Sequence, residues 1–150
     1  QFPRAYYHKY MKIWPDLCLA VQANAEGELA GYVLGKVEMG PEGMYGHVSA
    51  LTVKADCRRR GVAQRLMAQV EAVCAETHGA LYIDLFVKTS NTKAQQFYQR
   101  MGYVTYRTIK GYYDDGDALD MRKSLPADRN NKRMEPRDKS WNLQSFMVPG

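Results

Sequence analysis

The sequence predicts one mixed α/β domain, and two observations support this fold class. Helical and extended hydrophobic patterns follow each other in the order helix, three strands, helix, strand, helix, two strands. The strand–helix–strand unit in the middle requires a right-handed crossover, and therefore a sheet with both parallel and antiparallel pairs. A length of 150 residues, with 45% hydrophobic and 25% charged side chains, is ordinary for one globular domain.

The first third of the chain predicts a short helix followed by a three-stranded meander. The tyrosine-rich segment Arg4–Ile13 is expected to be helical and to stop before Pro15. Strands are expected over Leu17–Gln22, Leu29–Glu38 and Tyr45–Val53, separated by the turn segments NAEGE and GPEG. The short turns favour antiparallel pairing of these strands.

The middle of the chain carries the clearest helix. Apolar residues recur at steps of three and four over Gly61–Thr77, and Gly79 ends the pattern. The apolar segment Ala80–Val87 is then expected to be a strand that is buried on both faces. A second helix follows, with Ser90 or Asn91 as its N-cap and a stop at Gly102. Ala94, Phe97, Tyr98 and Met101 form its inner face.

The last predicted elements are two strands and a polar tail. Strands are expected over Tyr103–Ile109 and Ala118–Lys123, with the segment YYDDGD as the turn between them. We place the folded domain at 1–126 and a basic tail, flexible or docked on a partner, at 127–150. Residues 122–139 hold seven Lys and Arg against three acids, whereas residues 1–121 hold fourteen against thirteen. This near-neutral folded part argues against a nucleic-acid-binding face.

Cysteine usage and hydropathy restrict the remaining classes of function. Cys18, Cys57 and Cys74 lack the spacing of metal ligands, so we expect reduced thiols, a cytoplasmic protein and no metal. The DDGD segment lacks the ligand spacing of an EF-hand and favours a hairpin turn. No apolar run is long enough to span a bilayer and no signal-peptide pattern opens the chain, so we expect no membrane association.

The segment SALTVKADCRRRGVAQRLM places three arginines directly before the clearest helix. Backbone N–H groups at a helix N-terminus attract anions, and Gly61 and the small Ala63 allow close approach of a ligand. The loop is not a Walker loop and not a dinucleotide-binding turn, because neither glycine pattern is present. From spacing alone, an anion site and a solvated basic helix cap both remain open.

Two segments resemble the GNAT acetyltransferase superfamily. Arg58-x-x-Gly61-x-Ala63, after ALTV, resembles the pyrophosphate loop that binds acetyl-CoA in that family, and SNTKAQQFYQRMGY resembles its Asn- and Tyr-bearing helix. The resemblance implies the GNAT fold, a mixed twisted sheet with flanking helices that is splayed around acetyl-CoA. It also implies that the first strand and helix of the family would precede Gln1.

A narrower similarity extends over residues 1–126. The segments YYHKYMKIWPDLCLAV, GHVSALTV, IDLFVKTSN and GYYDDGDALDMRKSL are similar to the catalytic subunits of NatB, a family of N-terminal acetyltransferases. The similarity implies action on nascent polypeptides that start with Met-Asp, Met-Glu, Met-Asn or Met-Gln. It implies a helical-repeat auxiliary subunit as partner, with Tyr6, Tyr7, Tyr10 and Met11 as a contact surface, and possible ribosome association.

The resemblance also implies the residues that handle acetyl-CoA. A backbone N–H of the strand segment, that of Val53, would stabilise the developing oxyanion, and Tyr98 would donate a proton to the leaving thiolate. A core tyrosine is the alternative for Tyr98. The implied cofactor-binding residues are Leu51, Thr52, Val53, Arg58, Arg59, Arg60, Gly61, Val62, Ala63, Asn91 and Tyr98.

The implied peptide site has a polar part and an aromatic part. His47 and Asn91 are expected to face the second residue of the substrate, because a neutral imidazole and an amide suit both carboxylates and amides. Tyr112 and Tyr113 are expected to wall the peptide, although strand-end aromatics that fill the sheet are the alternative. The implied substrate-binding residues are Phe2, His47, Ser49, Asn91, Tyr112 and Tyr113.

Two other functions remain open from the sequence. The first is a different acetyltransferase, either NatA-like or directed at lysine side chains. The second is a non-catalytic module that docks on the ribosome through the basic tail, in which case its association would weaken steeply with salt.

Overall fold

The computed structural model describes residues 3–135 and confirms a mixed sheet with flanking helices. Each predicted helix and strand is present, with ends shifted by a few residues. The helices and strands in chain order are α1 (Arg4–Ile13), β1 (Cys18–Gln22), β2 (Leu29–Gly40), β3 (Gly43–Val53), α2 (Val62–Glu76), β4 (Tyr82–Lys88), α3 (Thr92–Arg100), β5 (Val104–Tyr113) and β6 (Gly116–Ser124).

The six strands form one sheet in the order β1-β2-β3-β4-β6-β5. The pair β3–β4 is parallel, and the other pairs are antiparallel. Helix α2 is the crossover that connects the two parallel strands, as the sequence predicted. Among the described residues, none of the helices has the length and apolarity needed to cross a bilayer.

Helix α2 packs against the centre of the sheet through its apolar stripe. Met67, Val70 and Cys74 are fully buried on this side. Gly46 of β3 allows the close approach, because a Cβ at this position would lie 2.6 Å from Cys74 Sγ. Burial raises the pKa of the Cys74 thiol to about 12, so this cysteine is an unreactive part of the core.

The two parallel strands separate halfway along their length. They are paired from Tyr45–Tyr82 to Val48–Leu85, and no pair continues beyond that point. At the same level β3 has a bulge, since neighbouring residues of β2 pair with Val48 and Ala50 and leave Ser49 without a partner in the ladder. A bulge bends its strand, and the separation opens a cleft in the middle of the sheet.

The C-terminal part differs from the sequence prediction in two places. Strand β5 continues to Tyr113, so Tyr112 and Tyr113 belong to a strand rather than to a turn. The chain also stays packed on the domain beyond residue 126. Buried Asp128 accepts hydrogen bonds from the Ser124 hydroxyl and the Arg133 amide, and it forms an ion pair with the Arg133 side chain.

Candidate active site

The arginine loop, residues 58–61, turns into the N-terminus of α2 with a geometry suited to an anion, and we call it the anion cradle. Arg59 and Gly61 have left-handed backbone angles, with φ of +66° and +75°, which turn the chain into the helix. Gly61 is the N-cap and provides no side chain to the first N–H groups of α2, so these donors remain available to a ligand. Apart from Gly61 and its two chain neighbours, no heavy atom of residues 3–135 lies within 4 Å of the position of a Cβ on Gly61, so the approach is open.

A cavity of about 560 Å³ lies against this loop. The wall opposite the loop comes from the C-terminal end of α3, where Arg100 adds a further cation. Arg58 Nε donates a hydrogen bond of 3.2 Å to the Val53 carbonyl, which fixes the loop to the end of β3. Six residues predicted to bind the cofactor line the cavity: Val53, Arg58, Arg59, Gly61, Val62 and Ala63.

The cleft between β3 and β4 has a volume of about 300 Å³ and is lined by Leu51, Asn91 and Tyr98 of the predicted set. The Lys54 N–H donates to a β2 carbonyl at 2.7 Å. Because successive N–H groups of a strand point to opposite edges, the N–H groups of Val53 and Leu51 point away from β2 and into the cleft. Backbone donors therefore face the cleft from the edge of β3 beyond its last pair with β4.

Tyr98 is buried on the inner face of α3 and borders this cleft. Its ring makes edge-on contacts with Phe97 and Tyr103, at centroid distances of 5.1 and 5.7 Å. Burial raises the pKa of its phenol to about 12. The hydroxyl therefore keeps its proton at neutral pH, and it can donate a hydrogen bond to a group in the cleft.

A third cavity, of about 500 Å³, lies on the opposite face of the sheet from α2, beside α1. It shares Val48, Ser49, Phe86 and Tyr113 with the cleft, so the two spaces lie next to each other where the strands separate. An aromatic wall runs from His47 through Phe86 to Tyr112, with centroid distances of 4.9 and 5.0 Å. The Tyr10 hydroxyl forms a hydrogen bond with the Ser49 hydroxyl at the floor.

His47 lines this third cavity, and one of its ring nitrogens is already occupied. Its Nδ1 lies 2.7 Å from Asp84 Oδ1, and the side chains are 15% and 7% exposed. Asp84 is the residue of β4 that pairs directly with His47. Sequence reasoning missed Asp84, although a single acid within an otherwise apolar strand was a signal for a paired buried charge.

The structure separates two residues that we expected to act together. Asn91 lines the cleft and not the cavity with His47, and its side chain accepts a hydrogen bond from the Ala94 amide as the N-cap of α3. This placement argues against a joint role in recognising the second residue. Thr52 and Arg60 line neither of the two cofactor cavities, and Phe2 lies outside the described residues.

Comparisons with known proteins agree with this geometry. The acetyltransferase (GNAT) family matches residues 1–103. The N-terminal acetyltransferase B complex catalytic subunit NAA20 of Arabidopsis thaliana is 38% identical over 136 residues, which are 90% of this chain and 78% of the relative.

Two solved structures are similar over most of their length. Chaetomium thermophilum Naa20 in complex with a bisubstrate analogue has a TM-score of 0.82 and 34% identity, over 91% of this chain and 81% of that one. The NatB acetyltransferase complex bound to CoA and MES has a TM-score of 0.78 and 35% identity, over 84% of each chain. The chain therefore belongs to the GNAT acetyltransferases and, within them, to the family of NatB catalytic subunits, which are N-terminal acetyltransferases.

Proposed function

We propose that this chain transfers the acetyl group of acetyl-CoA to the α-amino group of polypeptides that start with Met-Asp, Met-Glu, Met-Asn or Met-Gln. One observation carries the proposal: the cleft between β3 and β4 lies next to the peptide cavity, and Ser49 and Tyr113 line both. A thioester in the cleft and an amine in the peptide cavity would meet where the two adjoin. The bound CoA in the similar NatB complex supports acetyl-CoA as cosubstrate.

The anion cradle suits the pyrophosphate of acetyl-CoA. The unpaired N–H groups after Gly61 and the cations of Arg58, Arg59 and Arg100 all favour a dianionic group in this cavity. The role of Arg58 includes positioning, because its guanidinium also holds the loop against β3. Arg60 and Thr52 have no place in the cavity linings, and we leave them out of the proposed site.

The acyl transfer needs a neutral amine, a stabilised oxyanion and help for the leaving sulfur. An α-amino group has a pKa of about 8, so roughly a tenth is already neutral at pH 7 and a strong base is unnecessary. The N–H groups of Val53 and Leu51 would stabilise the developing negative charge. Tyr98, which keeps its proton, would donate a hydrogen bond to the sulfur as it leaves.

A peptide panel tests the proposed reaction. Purified protein, alone and together with an auxiliary subunit, is incubated with acetyl-CoA and peptides that start Met-Asp, Met-Asn, Met-Leu or Ser, or that carry an internal lysine. Mass spectrometry should find acetylation at the N-terminus of the Met-Asp and Met-Asn peptides. Preference for the Ser peptide would indicate NatA-like specificity, and modification of the internal lysine would indicate a lysine acetyltransferase; either result contradicts the proposal.

We also propose that a helical-repeat auxiliary subunit binds α1. The structure changes the expected contact surface, because Tyr10 is buried and Tyr7 packs against Tyr32, whereas Met11 and Ile13 are each about half exposed. Replacing Met11 and Ile13 with Asp should abolish co-purification with the auxiliary subunit. The matched change Lys12→Asp, on the same turn, should reduce it much less.

The proposed ribosome association depends on the end of the chain. We place the enzyme in the cytoplasm, where nascent N-termini emerge. Deleting residues 136–150 leaves the packed segment around Asp128 intact. The deletion should weaken co-sedimentation with ribosomes, and the intact chain should dissociate steeply as salt rises. Unchanged co-sedimentation of the shortened chain would contradict a role for residues 136–150.

A further inference from the structure

A row of charged side chains crosses four strands next to the peptide cavity. His47 of β3 contacts Asp84 of β4 at 2.7 Å, and Asp120 of β6 contacts Arg107 of β5 at 2.9 Å. The Asp84 carboxyl is close enough to raise the pKa of Asp120, and Asp120 is fully buried. Asp84 thus lies between the substrate-facing histidine and a second acid.

Of these two acids, Asp120 is the one whose pKa is raised. Burial, and then the neighbouring Asp84 carboxyl, raise the pKa of Asp120 to about 8, against the opposing effect of Arg107 and Arg122. Asp120 Oδ1 is also buried without a hydrogen-bond partner among residues 3–135, an environment that a neutral carboxyl tolerates better than an ionised one. Asp120 is therefore the acid that holds a proton at neutral pH, and it is the carboxylate of Asp84 that contacts His47 Nδ1.

The other groups around His47 leave Asp84 as its nearest negative partner. Lys36 of β2 lies opposite His47 in the ladder and forms an ion pair with Glu38 at 3.1 Å. Helix α1 contributes the hydroxyls of Tyr6 and Tyr10 to the cavity, and β5 contributes the phenols of Tyr112 and Tyr113. Two cations lie on the far side of Asp84: Arg107, and Arg122, which is stacked between Tyr82 and Tyr106.

An ionised Asp84 fixes the hydrogen-bonding character of His47. Since the carboxylate only accepts, Nδ1 must carry a hydrogen, and Nε2 is the nitrogen left for a substrate. A neutral ring of this form can accept at Nε2 but cannot donate there, so it suits the NH₂ group of Asn or Gln. A carboxylate of Asp or Glu needs a donor, and Nε2 becomes one only by taking up a proton. The sequence-based expectation was that a neutral His47 serves both substrate classes, whereas the contact with Asp84 assigns the neutral ring to the amides alone.

We propose that Asp84 is a positioning residue for substrate choice: it holds His47 with Nδ1–H directed at its carboxylate, and its charge allows Nε2 to take up a proton when the second substrate residue is acidic. An amide at the second position binds the neutral ring without proton uptake. The inference rests on the proposed function, and it adds a residue that does not touch the substrate. One pocket then accepts both classes by changing the protonation of one ring.

Measurements on the unmodified protein test the proton uptake directly. The protein is saturated with CoA, and Met-Asp and Met-Asn peptides are titrated calorimetrically in two buffers of different ionisation enthalpy. The pH is chosen by NMR so that free His47 is neutral. Any change in the protonation of the peptide amine is common to both peptides, so it cancels when the proton uptake of one peptide is subtracted from that of the other. The Met-Asp peptide should bind with close to one more proton taken up, whereas equal uptake would overturn the proposal.

Nitrogen-15 spectra of the histidine rings identify where the proton goes. His47 should be the Nδ1–H tautomer in the free protein and become doubly protonated with the Met-Asp peptide only. An Nε2–H tautomer in the free protein would overturn the proposal. These spectra require no substitution in the buried row, so they decide the question even if variants of Asp84 fail to fold.

Asp84→Asn tests the positioning role by kinetics. The kcat/KM for the Met-Asp peptide, divided by that for the Met-Asn peptide, should fall about tenfold or more. The reason is that the charged hydrogen bond between protonated His47 and the substrate carboxylate is lost, and only the acidic substrate makes it. The matched control is Asp16→Asn, which removes the carboxylate 2.9 Å from Nε2 of His78, outside the site. The control ratio should stay unchanged. An unchanged ratio in folded Asp84→Asn would overturn this inference alone, whereas failure of the unmodified enzyme to acetylate either peptide would overturn the proposed function itself.

Discussion

The two halves of the candidate active site are constructed differently. In the cofactor half, Arg58–Ala63 and the end of β3 offer mainly backbone N–H groups and exposed cations within a short stretch of chain. In the peptide half, side chains from α1, β3, β4 and β5 converge on one cavity. Binding by backbone N–H groups changes little when side chains are substituted, whereas binding in the peptide half depends on the identity of each side chain.

This difference indicates which half determines the reaction and which determines the choice of substrate. The backbone groups of the anion cradle would bind the pyrophosphate of acetyl-CoA, which is the same whichever peptide is acetylated. In the proposed peptide cavity, His47, which Asp84 holds, and an aromatic wall would distinguish one peptide from another. Substitutions in the first half should therefore affect all peptides equally, and those in the second half should affect them selectively.

The largest effect is expected for Gly61→Glu. The substitution places bulk and negative charge at the open face of the anion cradle, where the pyrophosphate would bind. Calorimetry should detect no binding of acetyl-CoA, while circular dichroism shows a folded protein. Gly61→Ala is the control: it costs about 1–2 kcal/mol of stability at this positive φ, yet it should still bind. Normal affinity of Gly61→Glu would contradict the cradle.

Tyr98→Phe should lower kcat by at least about a hundredfold and leave KM nearly unchanged, because proton donation to the sulfur matters mainly in the transition state. Steady-state kinetics with a Met-Asp peptide measure both constants. Tyr103→Phe is the control, since the hydroxyl of Tyr103 donates to Glu71 and faces no substrate cavity. An unchanged kcat in a chemistry-limited assay would return Tyr98 to a purely structural role.

His47→Ala should act selectively, which distinguishes the peptide half from the cofactor half. The rate on Met-Asp and Met-Asn peptides should fall about tenfold or more, and any residual rate on Met-Leu should change much less. The reason is that the variant removes a polar partner that a leucine side chain never used. Competition assays with mixed peptides measure the ratio. Equal slowing of all three peptides would show that His47 positions the strand rather than the substrate.

The smallest expected effect is an absence of change at alkaline pH. With a Met-Asn peptide, whose binding needs no proton uptake by His47, activity should rise up to about pH 8 as the substrate amine loses its proton, and then remain level to about pH 10. The pKa of Tyr98 is raised from 10 to about 12, so the phenol is still protonated throughout this interval. A stopped assay that monitors CoA release between pH 6 and 10 measures the profile. A decline that begins near pH 9 in the unmodified enzyme and is absent in Tyr98→Phe would contradict the raised pKa.

The sequence predicts local features well and dispersed ones poorly. Helix α2 and the loop before it were predictable because the apolar stripe, the glycine and the arginines are adjacent in the chain. The bulge at Ser49 was not predictable, since it depends on how β2 pairs with β3. The extension of β5 through Tyr113 was missed because the following turn resembles a longer loop.

The candidate site shows the same limit. The roles of Tyr98 and His47 came from a family resemblance, and their surroundings came only from the structure. The contact of Asp84 with His47 is a consequence of register between two strands separated by a helix. No local pattern encodes that register, so the sequence signalled a buried charge at Asp84 but could not identify His47 as its partner. That Asn91 and His47 line different cavities could not be predicted either, because it also depends on how elements distant in the chain pack.

The separation of β3 and β4 also bears on aggregation. Unpaired strand edges readily recruit strands from other molecules, and proteins usually protect such edges. Here the N–H groups of Leu51 and Val53 that point away from β2 face inward, and Leu51 lines a cleft bordered by α3. The exposed length is only a few residues beyond the last β3–β4 pair. A foreign strand would have to enter between two strands of one sheet to reach them, so the geometry that admits a slender cosubstrate also protects the empty enzyme from self-association.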